Sequence, residues 1–172
     1  MLTLSLLRHA KSSWDDADID DFERPLSKRG ANAAPEMGRA MRELKLKPDL
    51  VLCSAAVRTR ATVALVLLEL GPPGPEVRYD EELYLASPKV MLDHIHKIDD
   101  RFGHVMMVGH NPGTHALALE LTGVAKSEDM ADLATKFPTA GLAIMTFKAE
   151  HWRDVTSGTG HLVVFMTPRR LK

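Results

Sequence analysis

The chain has 172 residues, a formal net charge of −1 and a single cysteine. That length fits one domain with a substantial core, since a chain of about 150 residues buries roughly 70% of its unfolded surface. The near-zero charge gives no electrostatic case for nucleic acid or an anionic membrane as partner, and the lone Cys53 excludes disulfide frameworks and cysteine-rich zinc sites, leaving a small buried hydrophobe in a reducing compartment.

The apolar run Leu2–Leu7 reads as a buried strand that ends abruptly in Arg8 and His9. It is far shorter than the roughly 20 apolar residues of a membrane span, and no basic segment precedes it, so the protein is read as cytoplasmic. In open α/β sheets ligands bind beyond the carboxyl ends of the strands, which makes an Arg-His pair there a site candidate. Taken alone, such a pair is more often a solvated strand end.

An irregular acidic segment follows, and Ser27 then caps an amphipathic helix over about 28–44, with Met37, Ala40, Met41 and Leu44 at helical spacing. Asp49–Cys53 reads as a second buried strand. Ser54 starts the turn into a helix over about 56–70 that the Gly71–Pro75 segment ends. Val77–Tyr79 is a weaker strand followed by Asp80, Glu81 and Glu82. Pro88 opens another helix, to about Asp99, in which His94 and His96 lie about 200° apart and cannot share a ligand on one face. His104–Val108 is the clearest strand, and it too delivers a histidine, His110, at its carboxyl end before a helix over Gly113–Leu121. In the last quarter, Lys126–Lys136 is a short polar helix or loop, while Gly141–Phe147, His151–Val155 and Leu162–Met166 read as strands around a turn with Gly158 and Gly160. Alternating strands and helices, then strands without helices, predict a three-layer α/β/α sandwich whose mostly parallel sheet carries an antiparallel edge.

Arg8 and His9, Arg58 and His110 thus converge on one sheet edge and form a cationic hollow suited to a dianion. Arginine binds phosphate with two prongs, and histidine can donate, attack or carry a proton. The helices after Ser54 and Asn111 can point their N-termini at the same place, and one of Asp80, Glu81 or Glu82 can supply a proton to a leaving group. In the attacking role, as opposed to that of donor or proton carrier, a histidine beside two arginines has to be neutral, which would set an acid limb near the reference value of about 6.5 or lower.

The segment LLRHAKS resembles the signature of the histidine phosphatase superfamily, the phosphoglycerate mutase-like fold, and CSAAVRT, DEELY and VGHNPG resemble its later motifs in order. With RHAKSSW, RPLSKRG and GHNP, the resemblance is strongest to the small phosphohistidine phosphatases of the SixA type. It implies His9 as the phosphorylated nucleophile, Arg8, Arg58 and His110 as the clamp on the phosphoryl group, Glu82 as the acid of a position that varies among small members, and Ser12 as a minor phosphate contact. Ala10 stands where glycine is usual, and Trp14 precedes Asp15 where mutases typically carry Trp-Asn, which argues against a sugar-phosphate mutase.

Only 27 residues separate Glu82 from His110, enough for one helix and one strand. A single domain over 1–172 without a capping insertion is therefore expected, with an open site able to admit a phosphorylated protein side chain, such as that of a histidine-phosphotransfer domain. A small phosphate ester is the other substrate considered. The favoured chemistry is ping-pong phosphoryl transfer with no cofactor or metal. The rivals are a metal-dependent hydrolase, for which no HExxH motif and no Asp-rich cluster beside His9 is found, and a phosphate- or phosphoprotein-binding module without turnover, which would not need a histidine nucleophile.

Overall fold

The computed structural model describes all residues, Met1–Lys172. Seven strands form one sheet: β1 (Leu2–Arg8), β2 (Leu50–Ser54), β3 (Glu76–Asp80), β4 (His104–Gly109), β5 (Thr122–Ala125), β6 (Leu142–Phe147) and β7 (Gly160–Met166), in the order β3-β2-β4-β1-β6-β7-β5. Helices α1 (Lys28–Glu43) and α2 (Val57–Leu70) pack together on one face; α3 (Pro88–His96), α4 (Gly113–Leu121) and α5 (Ser127–Thr135) cover the other. This is the expected three-layer α/β/α sandwich.

Period-two alternation divides the core between the two faces. From β1, Leu2, Leu4 and Leu6 enter the core under α3, α4 and α5, while Leu7 enters the one under α1 and α2. In β4 the same division sends Val105 and Met107 one way and Met106 and Val108 the other. Strands buried on both faces are what a parallel sheet flanked by helices requires. Strands β1 to β4 run parallel. The antiparallel pairings all come from β6, which lies between β1 and β7, and β7 in turn runs parallel to β5.

Two parts of the last quarter differ from the expectation. The 151–155 segment is not a strand but a 3-10 turn, Trp152–Asp154. Trp152 is fully buried, its indole N–H donates to the Phe102 carbonyl at 2.8 Å and its backbone N–H to Asp100 at 2.9 Å, so this backbone docks on the turn before β4 instead of pairing in the sheet. Strand β5 was not expected at all. Its sequence, Thr-Gly-Val-Ala, is short and weak in strand formers, and its register with β7 is irregular between Thr122 and Val124.

Strands β1 and β4 are neighbours, but the chain leaves them toward opposite sides of the sheet, β1 through α1 to β2 and β4 through α4 to β5. Their carboxyl ends therefore flank a topological switch point, the crevice where α/β sheets bind ligands.

Candidate active site at the carboxyl edge of the sheet

At that crevice β1 ends in Arg8 and passes into His9, and β4 ends in Gly109 and passes into His110, the two strands holding Arg8 opposite Gly109. The rings of His9 and His110 lie 5.2 Å apart between centroids. Both residues and Arg58 are buried. Arg58 sits in the first turn of α2, just past the end of β2, and this turn is tied to β1: Ala10 donates to the Thr62 hydroxyl at 3.0 Å, and that hydroxyl donates to the Arg58 carbonyl at 2.7 Å. Ala10 is fully buried at this corner. Gly30 in the first turn of α1 is needed for another close approach, because a Cβ there would overlap the Lys11 carbonyl.

The His9 ring is oriented by its own neighbour. Its Nδ1 lies 2.7 Å from the Ala10 carbonyl, which can only accept, so Nδ1 carries the proton and the neutral ring keeps its lone pair on Nε2. Burial lowers the His9 pKa; the hydrogen bond to Ala10 opposes this, and the charges of Arg58, Arg8 and Arg24 lower it further, to about 4. His110 Nε2 is hydrogen bonded to the Ser54 hydroxyl at 2.8 Å, and burial, with His9 and Arg58 next, takes its pKa down to about 3. Both imidazoles are neutral at neutral pH. Arg8, whose pKa burial and Arg58 also lower, anchors one terminal nitrogen on the Phe137 carbonyl at 3.0 Å, a carbonyl shared with the Asn111 amide at 2.9 Å. Two buried polar atoms of this cluster, Arg8 Nε and His110 Nδ1, have no hydrogen-bond partner in the protein. Such groups are costly to bury, and an oxyanion is a partner that both can serve.

Glu82 and Ser12 are placed differently. Glu82 lies on a 3-10 turn, Glu81–Leu83, after the edge strand β3; its side chain is 75% exposed, and its carboxylate lies 3.7 Å from His94, which is as far from Asp80. The ligand atoms of Asp80, Glu82 and His94 fall within 4.8 Å of one another on the surface. His96 faces elsewhere, bonding the Val155 carbonyl at 2.7 Å. Ser12 is buried, and its hydroxyl accepts from Arg24.

Sequence reasoning missed several residues that this geometry draws in. Asp21 takes both terminal nitrogens of Arg58, one on its backbone oxygen at 2.7 Å and one on its carboxylate at 3.0 Å. Its carboxylate also accepts from Arg24 at 2.9 Å and from the Tyr84 hydroxyl. Burial alone would raise the Asp21 pKa, but the hydrogen bonds from Tyr84, Arg24 and Arg58 outweigh it and hold the carboxyl well below the usual range. Tyr84 stands edge-on to His110 at 5.3 Å, so the turn after β3 does reach the site through its tyrosine. Arg24 and Tyr84 lie in RPLSKRG and DEELY, whereas nothing distinguishes Asp21 from the acids around it.

A buried, tautomer-fixed histidine beside arginines at an α/β switch point defines a protein built to handle an oxyanion. Comparison with known proteins narrows the class. Residues 4–84 match the sequence model of the histidine phosphatase superfamily (branch 1). An uncharacterized protein of Mycobacterium tuberculosis is 38% identical over 165 residues, 95% of this chain and all of its own. Two solved structures are similar over nearly the whole chain. One is a provisional phosphohistidine phosphatase SixA from Agrobacterium tumefaciens, 30% identical with a TM-score of 0.79, covering 97% of this chain and 98% of its own. The other is its provisional counterpart from Nakamurella multipartitia, 27% identical with a TM-score of 0.84, covering 97% and 96%. The chain belongs to the histidine phosphatase superfamily.

Proposed function

We propose that this protein is a phosphohistidine phosphatase that works through a covalent phosphohistidine on His9 and needs no metal. The observation that carries the reading is the hydrogen bond from His9 Nδ1 to the Ala10 carbonyl, which leaves Nε2 with the lone pair in a ring kept neutral by burial and by flanking arginines. In the first step Nε2 attacks phosphorus in line, a P–N bond forms, and the bond from phosphorus to the leaving group breaks. In the second, water attacks the phosphohistidine, inorganic phosphate leaves and Nε2 regains its lone pair. Arg8, Arg58 and His110 stabilise the charge on the transferring oxygens. Similarity to the two SixA-named structures supports phosphohistidine on a protein as substrate. A single open domain suits a bulky substrate, because α3 and β4 take up the chain between the turn bearing Glu82 and His110.

The experiment is turnover of phosphohistidine protein, phosphoserine peptide and sugar phosphates side by side, all in EDTA, with a neutral or basic quench and mass spectrometry of the enzyme. The expected result is preference for phosphohistidine, phosphate on His9 and no turnover by His9→Ala. Phosphate on another residue, or full activity of the variant, overturns the nucleophile. Activity lost in EDTA and restored by zinc or magnesium overturns metal independence.

A further inference from the structure

Asp21 sits on a loop whose neck is closed and whose tip has little of its own to hold it. Ser12 and Leu26 form an antiparallel bridge, and Ser13 donates to the Pro25 carbonyl at 2.8 Å, so the chain between them leaves and returns at one place. The 3-10 turn at its tip, Asp21–Glu23, buries no residue. What holds the tip over the site is mostly polar: Arg58 on the Asp21 backbone oxygen and carboxylate, Arg24 and Tyr84 on the same carboxylate, and Trp14 against the Arg24 guanidinium at 3.2 Å, with the Phe22 ring edge-on to Tyr84 at 4.9 Å beside them.

The exposure of the two partners is unequal. The Arg58 side chain is 5% exposed and that of Asp21 43%, so the carboxylate approaches the buried guanidinium from the solvent side. A guanidinium carries five N–H donors in a rigid plane. Asp21 uses one on each terminal nitrogen, which leaves three, including the Nε–H and a terminal N–H that together can form a two-pronged contact with an oxyanion. The carboxylate therefore need not compete for the whole arginine. It fixes the plane of a long, rotatable side chain from one edge and leaves another edge available.

We propose that Asp21 is a positioning residue: it clamps Arg58 in the plane that receives the transferring phosphoryl group and makes that plane depend on the closed loop from Ser13 to Pro25. The inference rests on the phosphoryl-transfer reading above. It has a kinetic signature that simple binding lacks. Removing the negative charge beside a bound dianion favours ground-state binding, whereas loosening Arg58 harms the transition state, so KM and kcat move apart. An arginine out of plane by a fraction of its length is enough, since a misplacement of about 1 Å can cost about 10²-fold in rate.

The test is kcat and KM on an activated aryl phosphate, with tungstate binding measured alongside, for wild type, Asp21→Asn, Arg58→Ala and the double variant. For Asp21→Asn the expected result is a kcat lower by about 10- to 100-fold, with KM and the tungstate dissociation constant unchanged or smaller. In the Arg58→Ala background the same substitution should have almost no effect, because non-additivity is what acting through Arg58 means. An unchanged or raised kcat in Asp21→Asn overturns the proposal and makes Asp21 a competitor for the phosphate site; an equal loss in both backgrounds overturns it in favour of a general structural role. A wild-type protein that neither turns over the aryl phosphate nor binds tungstate would instead refute the reading of the site, and the positioning role with it.

Discussion

The neutrality of His9 sets a pH dependence that differs from what a solvent-exposed histidine would give. Its pKa falls from 6.5 to about 4, chiefly because burial penalises the imidazolium, a displacement worth roughly 3 kcal/mol at about 1.36 kcal/mol per pH unit. Two consequences follow from this displacement. In kinetics, kcat/KM, which reports the free enzyme, should stay level from pH 8 to about 5 and be halved only near pH 4, once the profile is corrected for the second ionisation of the substrate. In stability, the unfolded chain binds the proton at a higher pH than the folded one does, so the contribution is fully present above pH 6.5 and is lost as the pH falls through about 4. Urea unfolding of wild type and His9→Asn at pH 7 and pH 4 isolates this histidine from the carboxylates, which titrate in both proteins. Wild type should lose roughly 3 kcal/mol more than the variant over that interval. A kinetic limb centred between pH 6 and 7, together with parallel stability losses in the two proteins, would show that His9 is solvated and that its burial does not govern its protonation.

Two further substitutions probe the clamp and the acid. Arg58→Ala should cost about 2.7 to 4 kcal/mol in transition-state stabilisation, measured as kcat/KM, with Arg58→Lys restoring only part because a point charge cannot reproduce the two-pronged contact; full restoration by lysine would reduce Arg58 to an attractive charge. Glu82→Gln should leave turnover of phosphohistidine, aryl and alkyl phosphates nearly unchanged, because its carboxylate faces His94 and solvent; a loss confined to alkyl phosphates, which need a proton on the departing alkoxide and for which general acid catalysis is worth about 10² to 10⁴, would restore Glu82 as the donor.

What could be read from the sequence was whatever depends on local pattern. Runs such as Leu2–Leu7 and His104–Val108 identify buried strands, and the polar residues at their ends fall at the sheet edge because strand direction and site position are linked in this fold class. Arg58 came from the same logic, one turn into the helix after β2. Asp21 could not be found that way: it lies in an irregular stretch with Asp15, Asp16, Asp18, Asp20 and Glu23, and its contacts reach 37 residues on to Arg58 and 63 on to Tyr84. Which of those acids meets the arginine is decided by where the neck at Ser12 and Leu26 closes. The misread strand at 151–155 has a related cause, since its apolar residues answer to Trp152 seeking the Phe102 carbonyl and not to a neighbouring strand. The antiparallel pairing of the last quarter follows from strands succeeding one another without helices, but the place of β6 inside the sheet, between β1 and β7, and not at an edge, depends on long-range partners that no local pattern names.

Glu82 shows how a motif match and a geometric role can separate. β3 is the edge strand, three strand spacings from β1, or about 14 Å at about 4.8 Å each, and the carboxylate at its end turns to His94 and solvent. The residue of that turn which reaches His110 is Tyr84. The carboxylate that does reach the arginines, Asp21, is held ionised far below neutral pH and has no proton to give. The groups lining the crevice are thus two neutral histidines, arginines and an ionised carboxylate, a set rich in donors for phosphoryl oxygens and poor in acids for a leaving group. Such a set is adequate where the leaving group brings its own proton or departs as a stable anion. A phosphorylated imidazole is of the first kind and an aryl phosphate of the second, whereas an alkyl phosphate is neither. The same poverty of acids that weakens the assignment of Glu82 therefore favours the proposed phosphohistidine substrate over an alkyl ester.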